Sequence, residues 1–196
     1  MIANDPEYCT TDVACDSDAL EKFYRLTEPA IDRRETSMIA SGRCAQCWHH
    51  KESACICSSL SPLPFSKKVR FLVYLHSMEY FNAGDDGKLL KSAAPDKCEL
   101  LVCGRRVDDT TLLTEARDGN CVLLFPSDDA LLVEDLPSKG FHLPDASDGD
   151  ALPLRVIVLD GTWNRVKSMK RHLARIGCDV PHVRLMPESL DYWVRR

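Results

Sequence analysis

The sequence has no apolar run near the roughly 20 residues that a membrane-spanning helix requires, so a soluble protein is expected. Its first residues, MIANDPEYCTTD, are acidic and lack the basic-then-apolar order of a secretion signal. An intracellular protein, cytoplasmic or nuclear, is expected. Glycine (9) and proline (11) are too few for a low-complexity chain. No internal repeat is present. Cysteine, at 10 of 196 residues, falls short of the density of a disulfide scaffold. In a reducing interior, closely spaced cysteines more often hold metal than form bridges. What is present is globular composition, 44% apolar and 28% charged, enough for one domain with its own core.

A net charge of −5 looks hostile to nucleic acid, but its distribution is uneven. Residues 1–150 carry 16 basic against 26 acidic side chains, net −10, while residues 151–196 carry 9 against 4, net +5. Local fields steer ligands more than the average does, so RNA is not excluded.

Residues 1–40 are polar with weak periodicity, and read as a loosely attached, partly disordered extension with one short helix over 19–26. Residues 41–60 hold the cysteine-rich patch, and 61–196 the main domain. Runs rich in β-branched and apolar residues predict strands at 69–75, 99–103, 121–125, 154–159 and 183–186. Their continuous apolar character suits strands buried on both faces. Helices are predicted at 88–93, 128–134 and 163–176, and 137–153 reads as a surface loop. Alternating strands and helices predict an α/β fold, a mostly parallel sheet flanked by helices.

Cys44, Cys47, Cys55 and Cys57 are spaced Cys-x2-Cys-x7-Cys-x-Cys. Four thiolates this close can converge on one tetrahedral zinc ion, and a closed four-cysteine site would be structural. An iron–sulfur cluster, two disulfides or metal-free thiols are the alternatives. His49 and His50 are expected to be exposed. Cys98, Cys103, Cys121 and Cys178 lie in or near apolar runs and read as small core residues, whereas Cys9 and Cys15 read as incidental.

The strand ending at Leu159 runs into Asp160-Gly161-Thr162-Trp163 and then a helix. Ligands of open α/β sheets bind beyond the carboxyl ends of strands, where Asp160 sits. Gly161 allows a tight turn or close approach. Thr162 can cap the helix and leave its first N–H groups for an anion. The helix has an apolar stripe, Val166, Met169, Leu173 and Ile176. It also carries Arg165, Lys167, Lys170, Arg171 and Arg175 with no acid among them, which reads as a solvated basic face or as a contact for an RNA backbone.

Leu159-Asp-Gly-Thr-Trp163 followed by a basic helix resembles the signature of the DTW-domain family. So do the cysteine patch, His76-Ser-Met-Glu79, Gly87-Lys-Leu-Leu90, Leu124-Phe-Pro-Ser127 and Ser189-Leu-Asp-Tyr-Trp-Val-Arg195. The six elements in this order cover about residues 43–196. The sequence departs from the family at Ser77, where proline is usual, and at Asp85-Asp86, a small insertion. It also stops at Arg196, where relatives continue into a further helix, so the domain is expected to be incomplete at its C-terminus.

The resemblance implies a tRNA-uridine aminocarboxypropyltransferase. It would move the 3-amino-3-carboxypropyl group of S-adenosylmethionine to uridine N3 and release methylthioadenosine. It also implies a SPOUT-like fold with a C-terminal knot. Asp160 would act as general base, or else bind the amino group of the methionine moiety. Gly161, Thr162 and Trp163 would lie beside the co-substrate, with Trp163 stacking on a base or on adenine, or else serving as a core aromatic. Phe125, Pro126 and Ser127 would wall the adenosine, with Ser127-Asp128-Asp129 as a helix start. His76 and Glu79 would hold a ribose or order the loop. Arg43, Trp48 and Lys51 could let the zinc knuckle grip RNA. The rival readings are a SPOUT-type RNA methyltransferase, an aminocarboxypropyltransferase acting on rRNA, and a non-catalytic zinc-containing RNA-binding module.

Overall fold

The computed structural model describes residues 17–62, 68–142 and 152–185. Six strands form one sheet: β1 (Val69–Leu75), β2 (Cys98–Val102), β3 (Cys121–Leu124), β4 (Leu131–Leu132), β5 (Leu154–Asp160) and β6 (His182–Arg184). Their order is β2-β1-β5-β3-β6-β4, and every pairing is parallel. The helices are α1 (Ser17–Ala40), α2 (Gly87–Ala93), α3 (Arg106–Arg117) and α4 (Trp163–Arg175). The main core joins Leu72 and Tyr74 of β1, Leu123 of β3 and Ile157 of β5 to Leu112 of α3 and to Val166, Met169 and Leu173 of α4. Burial on both sheet faces is what selected the continuous apolar runs. Cys98, Cys103 and Cys121 are buried, and Cys178 packs against this core.

Three sequence expectations are corrected. The short helix expected at 19–26 is a 24-residue helix, and it is docked rather than loosely attached. Only Tyr24 and Ile31 of α1 are buried, two turns apart, and Pro29 lies inside the helix, so the local signal was weak. Its docking comes from distant partners. Thr27 donates to the Gly104 carbonyl (2.8 Å), Arg105 pairs with Glu35, and Arg106 N–H donates to Glu28. Gly104 adopts φ +86°, which strains any side chain, and a Cβ there would crowd Thr27 and Phe23 of α1 at 3.0–3.2 Å.

Second, α3 was not expected at all. Its sequence, RVDDTTLLTEAR, buries only Asp109 and Leu112, and its threonine hydroxyls bond back to carbonyls one turn earlier. Third, the helix expected at 128–134 is strand β4 followed by a 3-10 turn, Val133–Asp135. Leu131 and Leu132 instead extend the sheet by pairing with Val183 and Arg184, and tertiary pairing overrides local propensity. Within 137–153, residues 143–151 lie outside the described residues, and the rest begins with a 3-10 turn at Pro137–Lys139. Residues 186–196, with the Ser189–Arg195 motif and the knot expected there, also lie outside them, as do Cys9 and Cys15.

Four elements meet at one buried carboxylate. Asp109 (α3) accepts from Tyr24 (α1) at 2.9 Å, from His172 Nε2 (α4) at 2.6 Å, and from Tyr74 (β1). Burial and the Asp109 charge push both phenols above their ordinary pKa, so they remain donors. Asp109→Ala strands three buried donors and is expected to cost about 3 kcal/mol or more, against about 1 for Tyr24→Phe. Urea denaturation of the two variants checks this ordering.

Candidate functional site

Parallel pairing brings the carboxyl ends of β1, β5, β3 and β6 to one edge. From β1 the chain moves outward to β2, whereas from β5 it moves the other way, past β3 to β6. The crevice between oppositely running connections is where open α/β sheets bind ligands. Asp160 ends β5 there, level with Leu75 of β1, and the His76 N–H donates to the Asp160 carbonyl at 2.9 Å.

The Asp160 carboxylate accepts from Gly87 N–H at 3.2 Å, at the start of α2. A Cβ on Gly87 would sit 2.6 Å from Asp160 Oδ2 and 3.4 Å from Asp85 Oδ1. Only glycine lets both carboxyls close around that backbone. Asp85 is buried, accepts from Lys88 N–H at 3.3 Å, and is electrostatically linked to Asp160. Burial first, then the Asp160 charge, pushes its pKa up to about 7. Burial also raises Asp160, reinforced by Glu79 and Asp86 and opposed by its hydrogen bonds. The two carboxyls thus hold a proton between them near neutrality. Lys88 is buried as well, and its ammonium donates to the carbonyls of Ala83 (2.9 Å), Asn82 (3.2 Å) and Asp85. These bonds hold the 82–88 turn closed.

Beside this pair, His76 Nδ1 accepts from Met78 N–H at 3.1 Å, which leaves Nε2 to carry the proton of a neutral ring. Glu79 pairs with Arg165 of α4 and accepts from Asn82 at 2.9 Å. Burial pushes Glu79 up, but these partners win and hold its pKa below the usual range. Gly161 is tightly flanked, since a Cβ there would lie 3.3 Å from that of His76 and 3.4 Å from that of Arg165. Asp160, Gly161, His76, Glu79 and Arg165 therefore form one group.

A second group lies at the β3 and β6 ends. Trp163 is 57% exposed and stacks on Phe125 at 5.6 Å with planes 3° apart, so it is not a core aromatic. Lys170 Nζ lies 4.6 Å from the Phe125 ring centre. Ser127 hydrogen-bonds His182 Nδ1 at 2.6 Å, and Pro126 is exposed between them. Ser127-Asp128-Asp129 does not start a helix. Ala130 N–H returns to the Ser127 carbonyl in a single turn, and the Ser127 hydroxyl is shared between His182 and the Asp129 carboxylate. Thr162 occupies the first position before α4 but makes no side-chain cap bond. The five α4 cations do not share one face. Arg165 turns to Glu79 and Lys170 to Phe125, Lys167 and Arg171 are exposed, and Arg175 lies in the last turn. Sequence reasoning passed over His182, met Lys88 only within the Gly87-Lys-Leu-Leu90 element, and took Asp85 only as an insertion. The acid pair followed by Gly-Lys was the one available signal, whereas nothing local marks His182.

The sulfurs of Cys44, Cys47, Cys55 and Cys57 all lie within 4.8 Å of one another, a set that could hold a metal ion. Backbone N–H groups of Cys47 and Gln46 lower the Cys44 pKa to about 6, while burial and the neighbouring sulfurs push Cys57 up to about 12. Four thiolates crowded together need a cation to ionise fully, so the donor chemistry fits one. Trp48, inside this loop, is buried against Phe81 (5.4 Å) and edge-on to Tyr80 (5.5 Å). The cysteine loop thereby braces the segment that runs from His76 to Asp85. His49 is half-buried and His50 exposed.

No helix among the described residues is long and apolar enough to cross a membrane. No curated protein and no solved structure matches the chain. A family model, the DTW domain, matches residues 41–196.

Proposed function

Since the chain belongs to the DTW-domain family of tRNA-modifying enzymes, we propose that it transfers the 3-amino-3-carboxypropyl group of S-adenosylmethionine to N3 of a tRNA uridine. The observation that carries this reading is the pair of buried Asp85 and half-buried Asp160 around Gly87, at the crevice between β1 and β5. Uridine N3 carries a proton at neutral pH and must lose it as it attacks. A carboxylate whose proton affinity is raised by burial suits that task. The N3–Cγ bond forms as the Cγ–S bond breaks. The sulfonium leaves as a neutral thioether, and the N3 proton passes to Asp160 and its Asp85 partner.

The leaving group needs no acid, so orientation decides which carbon of the sulfonium reacts. Phe125, Pro126, Ser127 and Trp163 form the wall for the adenosine, with His182 holding Ser127. Trp163, exposed and stacked on one side, has an aromatic face for a base or for adenine. His76 and Glu79 order the loop that faces the ribose, with Arg165 locking Glu79. The exposed Lys167 and Arg171 give α4 its attraction for the RNA backbone. Cys44, Cys47, Cys55 and Cys57 would hold a structural zinc ion, which supplies a cross-link and takes no part in the chemistry.

The test is incubation with S-adenosylmethionine and unmodified tRNA, followed by mass analysis of nucleosides. Aminocarboxypropyluridine and methylthioadenosine are expected in equal amounts. S-adenosylhomocysteine with a methylated nucleoside would instead identify a methyltransferase. A protein that fails to bind S-adenosylmethionine would be a binding module.

A further inference from the structure

We propose that the cleft between α1 and α4 receives a nucleotide of single-stranded RNA flanking the target uridine, with α1 as its outer wall. This rests on the function proposed above. Helix α1 lies outside the matched residues 41–196, yet it is fastened to the domain through Tyr24, Thr27 and Glu35 and closes one side of a cavity of about 510 Å³. Leu26, Ala30 and Arg34 line it from α1, and Arg171 lines it from α4. The cavity also takes in His76 and Arg165, so it opens directly onto the group around Asp160.

Its chemistry selects the occupant. Arg34, Arg165 and Arg171 line it and no aspartate or glutamate does; Arg165 is paired with Glu79 and Arg34 donates to the Tyr80 carbonyl, while Arg171 is exposed. That suits a phosphodiester. Leu26 (63%) and Met78 (50%) leave large apolar surface in water at the mouth, where the face of an unstacked base would cover it. At the inner end, His172 donates from Nε2 to Asp109 if neutral, and its buried Nδ1 has no hydrogen-bond partner among the described residues. That nitrogen can accept from a ribose hydroxyl or a base N–H. The volume is that of a site for a small organic group. The part of the chain outside the family domain thus gains a task, which is to read the RNA beside the modified position.

Ala30 is exposed and lines the cleft, so Ala30→Trp occupies it from the outer wall. Fluorescence anisotropy with a labelled, uridine-rich single-stranded RNA is expected to show about tenfold weaker binding, the loss of one stacked base. Calorimetry is expected to show unchanged S-adenosylmethionine affinity. Arg171→Gln should weaken RNA binding and flatten its salt dependence by about one charge. Unchanged RNA affinity in folded Ala30→Trp would overturn the proposal while leaving the reaction intact. Weakened S-adenosylmethionine binding with RNA binding retained would also overturn it and reassign the cleft to the co-substrate. Failure of the unaltered protein to bind RNA would remove the proposed function and the cleft together.

Discussion

Asp160→Asn is expected to reduce aminocarboxypropyl transfer by about 10²–10⁴-fold, the usual contribution of a positioned general base. The amide oxygen can still accept from Gly87 N–H, so the turn and the fold should persist. What is lost is the capacity to take a proton. Single-turnover transfer and S-adenosylmethionine binding, measured together, separate the roles. Slow transfer with normal binding marks a base, weak binding marks a ligand of the methionine amino group, and normal turnover sinks both. The same pair sets a pH dependence. Transfer needs the pair to have lost its proton, so the rate should fall as pH drops through about 7, where Asp85 titrates. In Asp85→Asn the like charge is gone and an amide donor faces Asp160, so the acid limb should move down by about one unit or more. Stability should respond in the opposite sense. The folded-state pKa of Asp85 is raised from 3.8 to about 7, so the folded protein binds the extra proton. Its stabilising effect is whole below about pH 4 and is lost as pH rises to about 7. Asp85→Asn should therefore gain stability over the parent at pH 8.

Removing the metal expected in the cysteine cluster should have the second large effect. One zinc per chain is expected by metal analysis, and chelation or Cys47→Ser is expected to lower the melting temperature by about 10 °C. The magnitude follows from several kcal/mol of metal-linked folding energy, spread over a domain for which each 1 kcal/mol is worth about 2–4 °C. Cys47 is fully buried, and its loop seats Trp48 on Tyr80 and Phe81. Loss of the ion would free that stack and loosen the turn that holds Asp85 against Asp160. Transfer should then fall even at temperatures where the sheet survives. Metal binding should also release protons, since Cys57 holds its proton up to about pH 12 without an ion. A metal-free protein with unchanged melting would show that the four sulfurs are merely close.

Strands β1, β2, β3 and β5 were legible because each is a short, largely apolar run, and β1 was read to the residue. Helix α4 was legible because Val166, Met169 and Leu173 mark one buried stripe. Helix α1 was legible only over 19–26, and helix α3 not at all. They are held by polar contacts made at long range, such as Tyr24 to Asp109 and Thr27 to Gly104, and no window of sequence carries such a signal. The site divided in the same way. Asp160, Phe125 and Trp163 stand at strand ends that can be read locally. The partners that give them their properties, Asp85, Lys88 and His182, arrive from elsewhere in the chain.

The strand order has a consequence for synthesis. β5 separates β1 from β3, but it is the fifth of the described strands to be made. Until residues 154–160 emerge, β1 and β3 each present an open, apolar edge with unpaired backbone groups, and such edges invite pairing with other chains. The last long strand is thus a keystone set late. The segment that carries Asp160 is also the one that seals the growing chain against aggregation, so a nascent polypeptide halted before it would be the form most in need of a chaperone.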